Sequence, residues 1–293
     1  MEKLDLPHGV EVTTWLPGSP PPADLEHVAF YCGPYRKGPD PIVPHLPHMP
    51  ALEVVQVLSA GVDAVLPHLP TGTTLCNGRG LHDASTAELA VALVLAAQRG
   101  LPDLFVQQSR RNWTAPPPMQ ELGEQTLLII GYGGVGTAVE RRLSPLVKQV
   151  LRVASTARDG VHGPQALPHL LPQADVVVLA VPATARTYHL MDERALALMR
   201  TGALLVNVAR GEVVDTDALL AETRSGRLRA SLDVTDPEPL PVDHPLWVTP
   251  GVLITPHVGG GGSGALPRAR ALVSRQLRHW LAGEPLENVV MTP

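Results

Sequence analysis

Three short stretches of this 293-residue chain place side chains that could move a proton or grip an anion. They are Val206-Asn207-Val208-Ala209-Arg210-Gly211, Asp233-Val234-Thr235-Asp236-Pro237-Glu238-Pro239-Leu240 and Thr255-Pro256-His257-Val258-Gly259-Gly260. Each follows an apolar run that reads as a strand. In an open parallel sheet, ligands sit at the carboxyl ends of the strands. Arg210, Glu238 and His257 are therefore expected in one cleft. The chemistry that suits them is hydride transfer at a carbon bearing oxygen. His257 can give a proton to that oxygen, or take one from it, near neutral pH. Glu238, hydrogen-bonded to the imidazole, would fix its orientation and complement its positive charge. Arg210 can hold a carboxylate with two parallel hydrogen bonds and polarise a neighbouring carbonyl. Singly, each residue reads as well as a loop tie or an exposed side chain. Together, at successive strand ends, they point to a catalytic trio.

Such chemistry needs a hydride carrier. Ile130-Gly131-Tyr132-Gly133-Gly134-Val135-Gly136 supplies a G-x-G-x-x-G turn directly after the apolar run TLLII. It opens a helix whose Val135, Val139 and Leu143 share one face, the context a dinucleotide fingerprint requires. Gly131 permits the tight turn, Gly133 lets backbone approach a pyrophosphate, and Gly136 lets the helix lie close on the strand. An NAD site should carry an acid at the end of the next strand, for the ribose 2′-hydroxyl. Here Ala154, Ser155 and Thr156 are uncharged, and the first charge is Arg158. Two hydroxyls and a guanidinium suit a 2′-phosphate, so NADP(H) is favoured and NAD(H) is possible. The alternative is a solvated Arg158 in a site that takes either cofactor, which neighbouring Asp159 leaves open.

The elements that position these residues follow a regular order. Strands are expected at TLLII, QVLRVA, ADVVVLAV, ALLVNVA, LRASLDV and VLITP, and helices from near Val135, Asp192, Asp215 and Leu266. Apolar strands alternating with helices imply a parallel sheet covered on both faces. The first hundred residues suggest a smaller α/β unit with strands at VEVTTW, HVAFY, VVQVLS and TTLCN. There Ser85-Thr86-Ala87-Glu88 reads as a capping box. It precedes the helix LAVALVLAAQR, apolar nearly all round and stopped by Gly100. Residues 101–124 read as a polar, Pro-rich stretch around Trp113. The expected fold is a Rossmann-type doubly wound parallel sheet inserted in a smaller flavodoxin-like α/β substrate domain. Residues 100–263 form the dinucleotide-binding domain, and 1–99 with 264–293 the substrate domain.

Composition narrows the partners. Net charge is −5 with no basic block, so nucleic acid is not expected. The longest apolar run, residues 90–97, is far short of the ~20 that span a bilayer, and the N-terminus shows no signal-peptide pattern. No membrane partner is expected, and a cytoplasmic location is. Cys32 and Cys76 read as reduced thiols. The 31 prolines, many in loops such as PIVPHLPHMP, suggest stiff connectors. His45 and His48 lack nearby Cys or carboxylate ligands, so no metal site is expected. No Ser or Cys nucleophile motif is present.

Five stretches taken together resemble the D-isomer-specific 2-hydroxyacid dehydrogenase family. They are IIGYGGVG, VPATARTYHLMDERALALMRTGALLVNVARGEVVDTDAL, LDVTDPEPLPVDHPLW, ITPHVGG and GEPLENVV. LSAGVD, ending at Asp63, and STAEL are similar to it as well. The resemblance implies Arg210, Glu238 and His257 as the catalytic trio. It implies Gly134 and Val135 at the pyrophosphate, Val181, Val208 and Gly260 along the cofactor, and Asp233 facing the nicotinamide carboxamide. It implies that N–H groups of Ala60 and Gly61, with Arg210, bind the substrate, and that the protein is a homodimer with substrate between its domains. Departures from the family pattern are Leu89, where many relatives have His, and Gly262, where many have Thr or Ser. The absent acid near Ala154 is similar to NADPH-preferring members, often glyoxylate or hydroxypyruvate reductases. The function implied is reduction of a small 2-keto acid, or the reverse oxidation. The rival from another class is a dinucleotide-sensing corepressor of the same fold. The chain ends three residues after NVV, without the long tail expected of that rival.

Overall fold

Runs of consecutive apolar residues decide the larger sheet. Leu127 to Ile130, Val176 to Leu179 and Leu204 to Val206 are at most 1% exposed, as strands covered on both faces must be. In this computed structural model, residues 6–16, 19–34, 42–62 and 64–292 are described. The strands are β1 (Phe30–Cys32), β2 (Val54–Gln56), β3 (Thr74–Cys76), β4 (Thr126–Ile130), β5 (Gln149–Val153), β6 (Val176–Leu179), β7 (Leu204–Asn207), β8 (Arg229–Leu232), β9 (Val252–Ile254) and β10 (Val289–Met291). The helices are α1 (Asp83–Gln98), α2 (Leu101–Ser109), α3 (Gly134–Leu143), α4 (Leu167–Leu170), α5 (Glu193–Leu198), α6 (Thr216–Arg224) and α7 (Ala265–Ala282). The chain divides into two compact units, Met1–His82 with Gly262–Pro293, and Asp83–Gly261.

The second unit is an α/β layer fold on one parallel sheet, in the order β5-β4-β6-β7-β8-β9. Outside β5, Val153 makes an isolated parallel bridge with His162. With that bridge counted as a strand, the order is the Rossmann one, 3-2-1-4-5-6, with β9 added at the far edge. Alternate residues of each strand feed opposite cores. Leu128, Ile130, Val177, Leu179 and Leu205 pack with Leu196 of α5 and Leu219 of α6. Leu127, Ile129, Val176, Val178 and Leu204 pack with Ala87, Ala90, Leu93 and Val94 of α1 and with Val139 and Leu143 of α3. This second core explains why the unit begins at Asp83 rather than at residue 100. Without α1, one sheet face would lose the side chains that cover it.

Local chemistry sets the helix boundaries. Asp192 and Asp215 cap α5 and α6, accepting from Ala195 N at 2.8 Å and Ala218 N at 3.0 Å. α1 starts two residues before the expected capping box, so Ser85 lies inside the helix. The Asp83 carboxylate stands in the first turn instead, where the helix end is partly positive. Gly100 ends that run with φ 58°. α2 follows at once, where a loop was expected, opened by Pro102 in its first turn.

The first unit carries a smaller sheet in the order β1-β2-β3-β10. β1, β2 and β3 are parallel and β10 is antiparallel to β3. Residues 10–15, expected as a strand, form none; residues 11–14 are exposed, Val12 at 51%, and Val10 and Trp15 are half-buried. Gln56 and Gln276, both 0% exposed, join the sheet to α7, with Gln276 Nε2 donating to Gln56 Oε1 at 2.7 Å.

Candidate active site

The glycine turn follows β4 at the switch point, where the chain goes to β5 on one side and β6 on the other. Gly131 takes φ 103°, and a Cβ there would collide with the Ala180 carbonyl at the end of β6. A Cβ on Gly136 would collide with Gly131 O, so helix α3 lies directly on the turn. Above Gly133 there is open space. No side chain caps α3, so its first N–H groups remain available to an acceptor. These features fit a dinucleotide whose pyrophosphate meets a helix N-terminus. Gly134 has a further reason to be glycine: a Cβ would collide with the Asp83 carboxylate.

Ser155, Thr156 and Arg158 follow β5 and are exposed. The segment is tied back to the sheet, with Ala154 N donating to His162 O and His162 N to Arg152 O. Arg158 and Val161 exchange backbone bonds of 3.0 and 2.9 Å across Asp159-Gly160, and Gly160 takes φ 68°. This tight turn presents Arg158 toward the glycine turn. Its Nη2 donates to Tyr132 O at 2.8 Å, and its guanidinium lies 5.6 Å from the Tyr132 ring centre.

The ends of β7, β8 and β9 carry the remaining chemistry. Asn207, 1% exposed, accepts from Ala209 N and donates to Arg210 O. Half-buried Arg210 donates from Nη1 to Ala209 O at 2.7 Å. A Cβ on Gly211 would collide with the Thr235 carbonyl, so the Arg210 loop rests on the segment leading to Glu238. Glu238 Oε1 lies 2.6 Å from His257 Nδ1. Arg210 bonds to neither of them among the described residues.

His257 holds a left-handed backbone, φ 51°. Such a conformation costs a residue with a Cβ about 1–2 kcal/mol, so something must impose it. Asp233, 3% exposed, is that anchor. Its Oδ1 accepts from Thr255 Oγ1 at 2.6 Å and Val258 N at 2.8 Å, and its Oδ2 from Gly259 N at 2.8 Å. One carboxylate thus ties the loop on both sides of His257.

Val208 is 8% exposed at the end of β7, Val181 is half-buried just beyond β6, and Gly260 is half-buried after the His257 loop. In the first unit, Ala60 and Gly61 lie in a turn held by its carbonyls. Asn77 Nδ2 donates to Ala60 O and Ser59 Oγ to Gly61 O. The N–H groups of Ala60 and Gly61 donate to no described residue. Asp63, from the same motif, lies outside the described residues.

Sequence reasoning missed Tyr132, Glu140 and Arg152. Tyr132 Oη and the Arg152 guanidinium both bond to the Glu140 carboxylate. Arg152 holds that carboxyl below its usual range, while the bond to Glu140 raises the Tyr132 phenol. The available signal was an aromatic between the first two glycines, an acid two turns into α3 and a lone arginine inside an apolar strand.

Comparison with known proteins identifies the family. The family "D-isomer specific 2-hydroxyacid dehydrogenase, NAD binding domain" matches residues 91–259. A glyoxylate reductase of Thermococcus gammatolerans is 35% identical over 80% of this chain and 74% of its own. The human glyoxylate reductase/hydroxypyruvate reductase is 32% identical over 80% of this chain and 76% of its own. A D-isomer specific 2-hydroxyacid dehydrogenase from Xanthobacter autotrophicus, solved with NADPH and MES, superposes with a TM-score of 0.79. It is 32% identical, over 92% of this chain and 86% of that one. The chain therefore belongs to the D-isomer specific 2-hydroxyacid dehydrogenase family and is an NAD(P)-dependent oxidoreductase of 2-keto and 2-hydroxy acids.

Proposed function

We propose that the protein reduces a small 2-keto acid to the D-2-hydroxy acid with NADPH, using Arg210, Glu238 and His257. The bond between Glu238 Oε1 and His257 Nδ1 carries this reading. It fixes the imidazole with Nε2 free, since Nε2 has no partner among the described residues. NADPH, when bound, supplies the hydride. His257 Nε2 then gives its proton to the substrate oxygen as that oxygen becomes a hydroxyl. Glu238 compensates the charge of the imidazolium before that transfer. Arg210 keeps several N–H groups for the substrate carboxylate and the reacting carbonyl. The N–H groups of Ala60 and Gly61, which donate to no described residue, suit a carboxylate.

The glycine turn, with Val181, Val208 and Gly260, would line the cofactor. Asp233 keeps about one acceptor position, of the roughly four a carboxylate offers, for the nicotinamide carboxamide. Arg158, Ser155 and Thr156 favour NADPH, and the relative from Xanthobacter solved with NADPH supports that choice. A homodimer belongs to this reading. Phe105 of α2 and Trp113 are 62% and 101% exposed, apolar area that a second copy would cover. So does a cytoplasmic location, where the thiols of Cys32 and Cys76 stay reduced. No single helix is long and apolar enough to cross a membrane among the described residues.

The test is cofactor oxidation with glyoxylate, hydroxypyruvate, pyruvate and bulkier 2-keto acids, with His257→Ala beside the parent. Turnover should fall about 10²–10⁴-fold in the variant, the usual contribution of a positioned acid, with cofactor affinity little changed. No turnover by the parent on any of these acids would favour a dinucleotide sensor instead.

A further inference from the structure

Tyr132 lies between two guanidiniums, with Arg152 5.8 Å and Arg158 5.6 Å from its ring centre. Their charges are committed differently. Arg152 bonds through Nε and Nη2 to Glu140, and the same carboxylate accepts from Tyr132 Oη. Arg152 is therefore neutralised, with its fork used. Arg158 pairs with no carboxylate among the described residues. The one hydrogen bond of its guanidinium among the described residues runs from Nη2 to Tyr132 O, which leaves the other guanidinium N–H groups available. The ring itself is held at both ends. Tyr132 N donates to Val153 O at 3.0 Å, and the hydroxyl is tied to Glu140 on α3.

We propose that Tyr132 is a specificity-determining positioning residue: its ring and carbonyl seat Arg158 beside the glycine turn to receive the adenosine 2′-phosphate, while Glu140 withholds Arg152 from it. This rests on the NADPH reading above and assigns the part of the site that enforces it. The attraction of a cation to the face of an aromatic ring orients Arg158 before the ligand arrives. A long side chain already seated loses less rotamer freedom on binding than one that samples solvent. The 2′-phosphate is the single group that distinguishes the two dinucleotides. A seat for Arg158 therefore acts on selectivity and leaves the affinity for the common part unchanged.

The probes are adenosine 2′,5′-bisphosphate and adenosine 5′-monophosphate, titrated calorimetrically into the full chain. They report the adenosine end of the site without turnover. The parent should prefer the bisphosphate, and Arg158→Ala should abolish the preference. Tyr132→Leu, which keeps apolar volume and removes the ring face, should reduce the preference roughly two- to five-fold, the range of an exposed cation–π contact. Its affinity for the monophosphate should not change. Tyr132→Phe keeps the ring and should keep most of the preference, which separates seating from misfolding. Parental preference in Tyr132→Leu, or equal weakening of both probes, overturns the seat while Arg158 stands. An unchanged preference in Arg158→Ala overturns the phosphate reading and the seat together.

Discussion

Asp233→Asn should cost stability and turnover together, because one buried carboxylate holds the His257 loop in shape. The parent accepts three hydrogen bonds there, at 2.6, 2.8 and 2.8 Å, from Thr255, Val258 and Gly259. An amide offers one oxygen. If that oxygen replaces Oδ1, the NH₂ group faces the N–H of Gly259. If it replaces Oδ2, the NH₂ group faces the N–H of Val258. Either way at least one bond is lost and the survivors become neutral. A bond to an ionised group contributes about 1.5–3 kcal/mol and a neutral one about 0.5–1.5. At mid-range, one bond lost and two weakened comes to about 5 kcal/mol. In a unit of this size that lowers Tm by roughly 10–20 °C.

The same loss releases His257 from φ 51°. A catalytic group displaced by about 1 Å can lose on the order of 10²-fold in rate, so kcat should fall at least that far. The assay pairs thermal unfolding by circular dichroism with kcat and a fluorescence titration of the cofactor. A carboxylate that served only the nicotinamide carboxamide would give another pattern, with weaker cofactor binding at parental Tm. That pattern, or parental Tm and kcat together, would falsify the anchoring argument.

Other perturbations probe the frame around the site. Leu93→Ala removes a side chain 3% exposed in the core shared by α1 and the sheet. It should cost about 2–5 kcal/mol in urea unfolding, and a loss under 1 would show that α1 is not needed to cover that face. Glu140 has its carboxyl held below its ordinary value of 4.5 by Arg152. Its contribution is therefore complete above pH 4.5 and fades as pH falls through the lower, folded value. The stability gap between parent and Glu140→Gln should shrink below pH 4.5, and a constant gap would refute that assignment. Among the described residues, the half-buried Arg229 guanidinium donates only to neutral oxygens, those of Ala97, Gln98, Gln120 and Gly202. Arg229→Met should leave the Gly202 carbonyl and the buried Gln98 Oε1 without a donor among the described residues and destabilise by about 2–4 kcal/mol. Unfolding at the parental midpoint would mean that solvent replaces those bonds at no cost.

How much of this could be read in advance depends on the range of the interaction that decides each feature. Strands β4, β6 and β7 were readable because four or more consecutive apolar residues have few ways to be buried. Helices α5 and α6 were readable because Asp192 and Asp215 act on amides three residues away. α2 was not, because its Phe105 and Val106 are exposed and its inward face is short, marked by half-buried Leu101 and Leu104. The role of α1 in the second unit was hidden because it is decided by α3 and β7, far along the chain. The site divides along the same line. Arg210, Glu238 and His257 are named by residue type and by their place after a strand. The backbone of His257 is fixed by an acid 25 residues before Val258, and Arg158 by a tyrosine 26 residues before it. Sequence spacing identified the groups proposed to meet the substrate and cofactor. The conformation that makes those groups useful resides in buried polar anchors such as Asp233 and Asn207, which have no periodicity of their own. Substitutions at such anchors should therefore alter turnover or selectivity without touching a single residue of the trio.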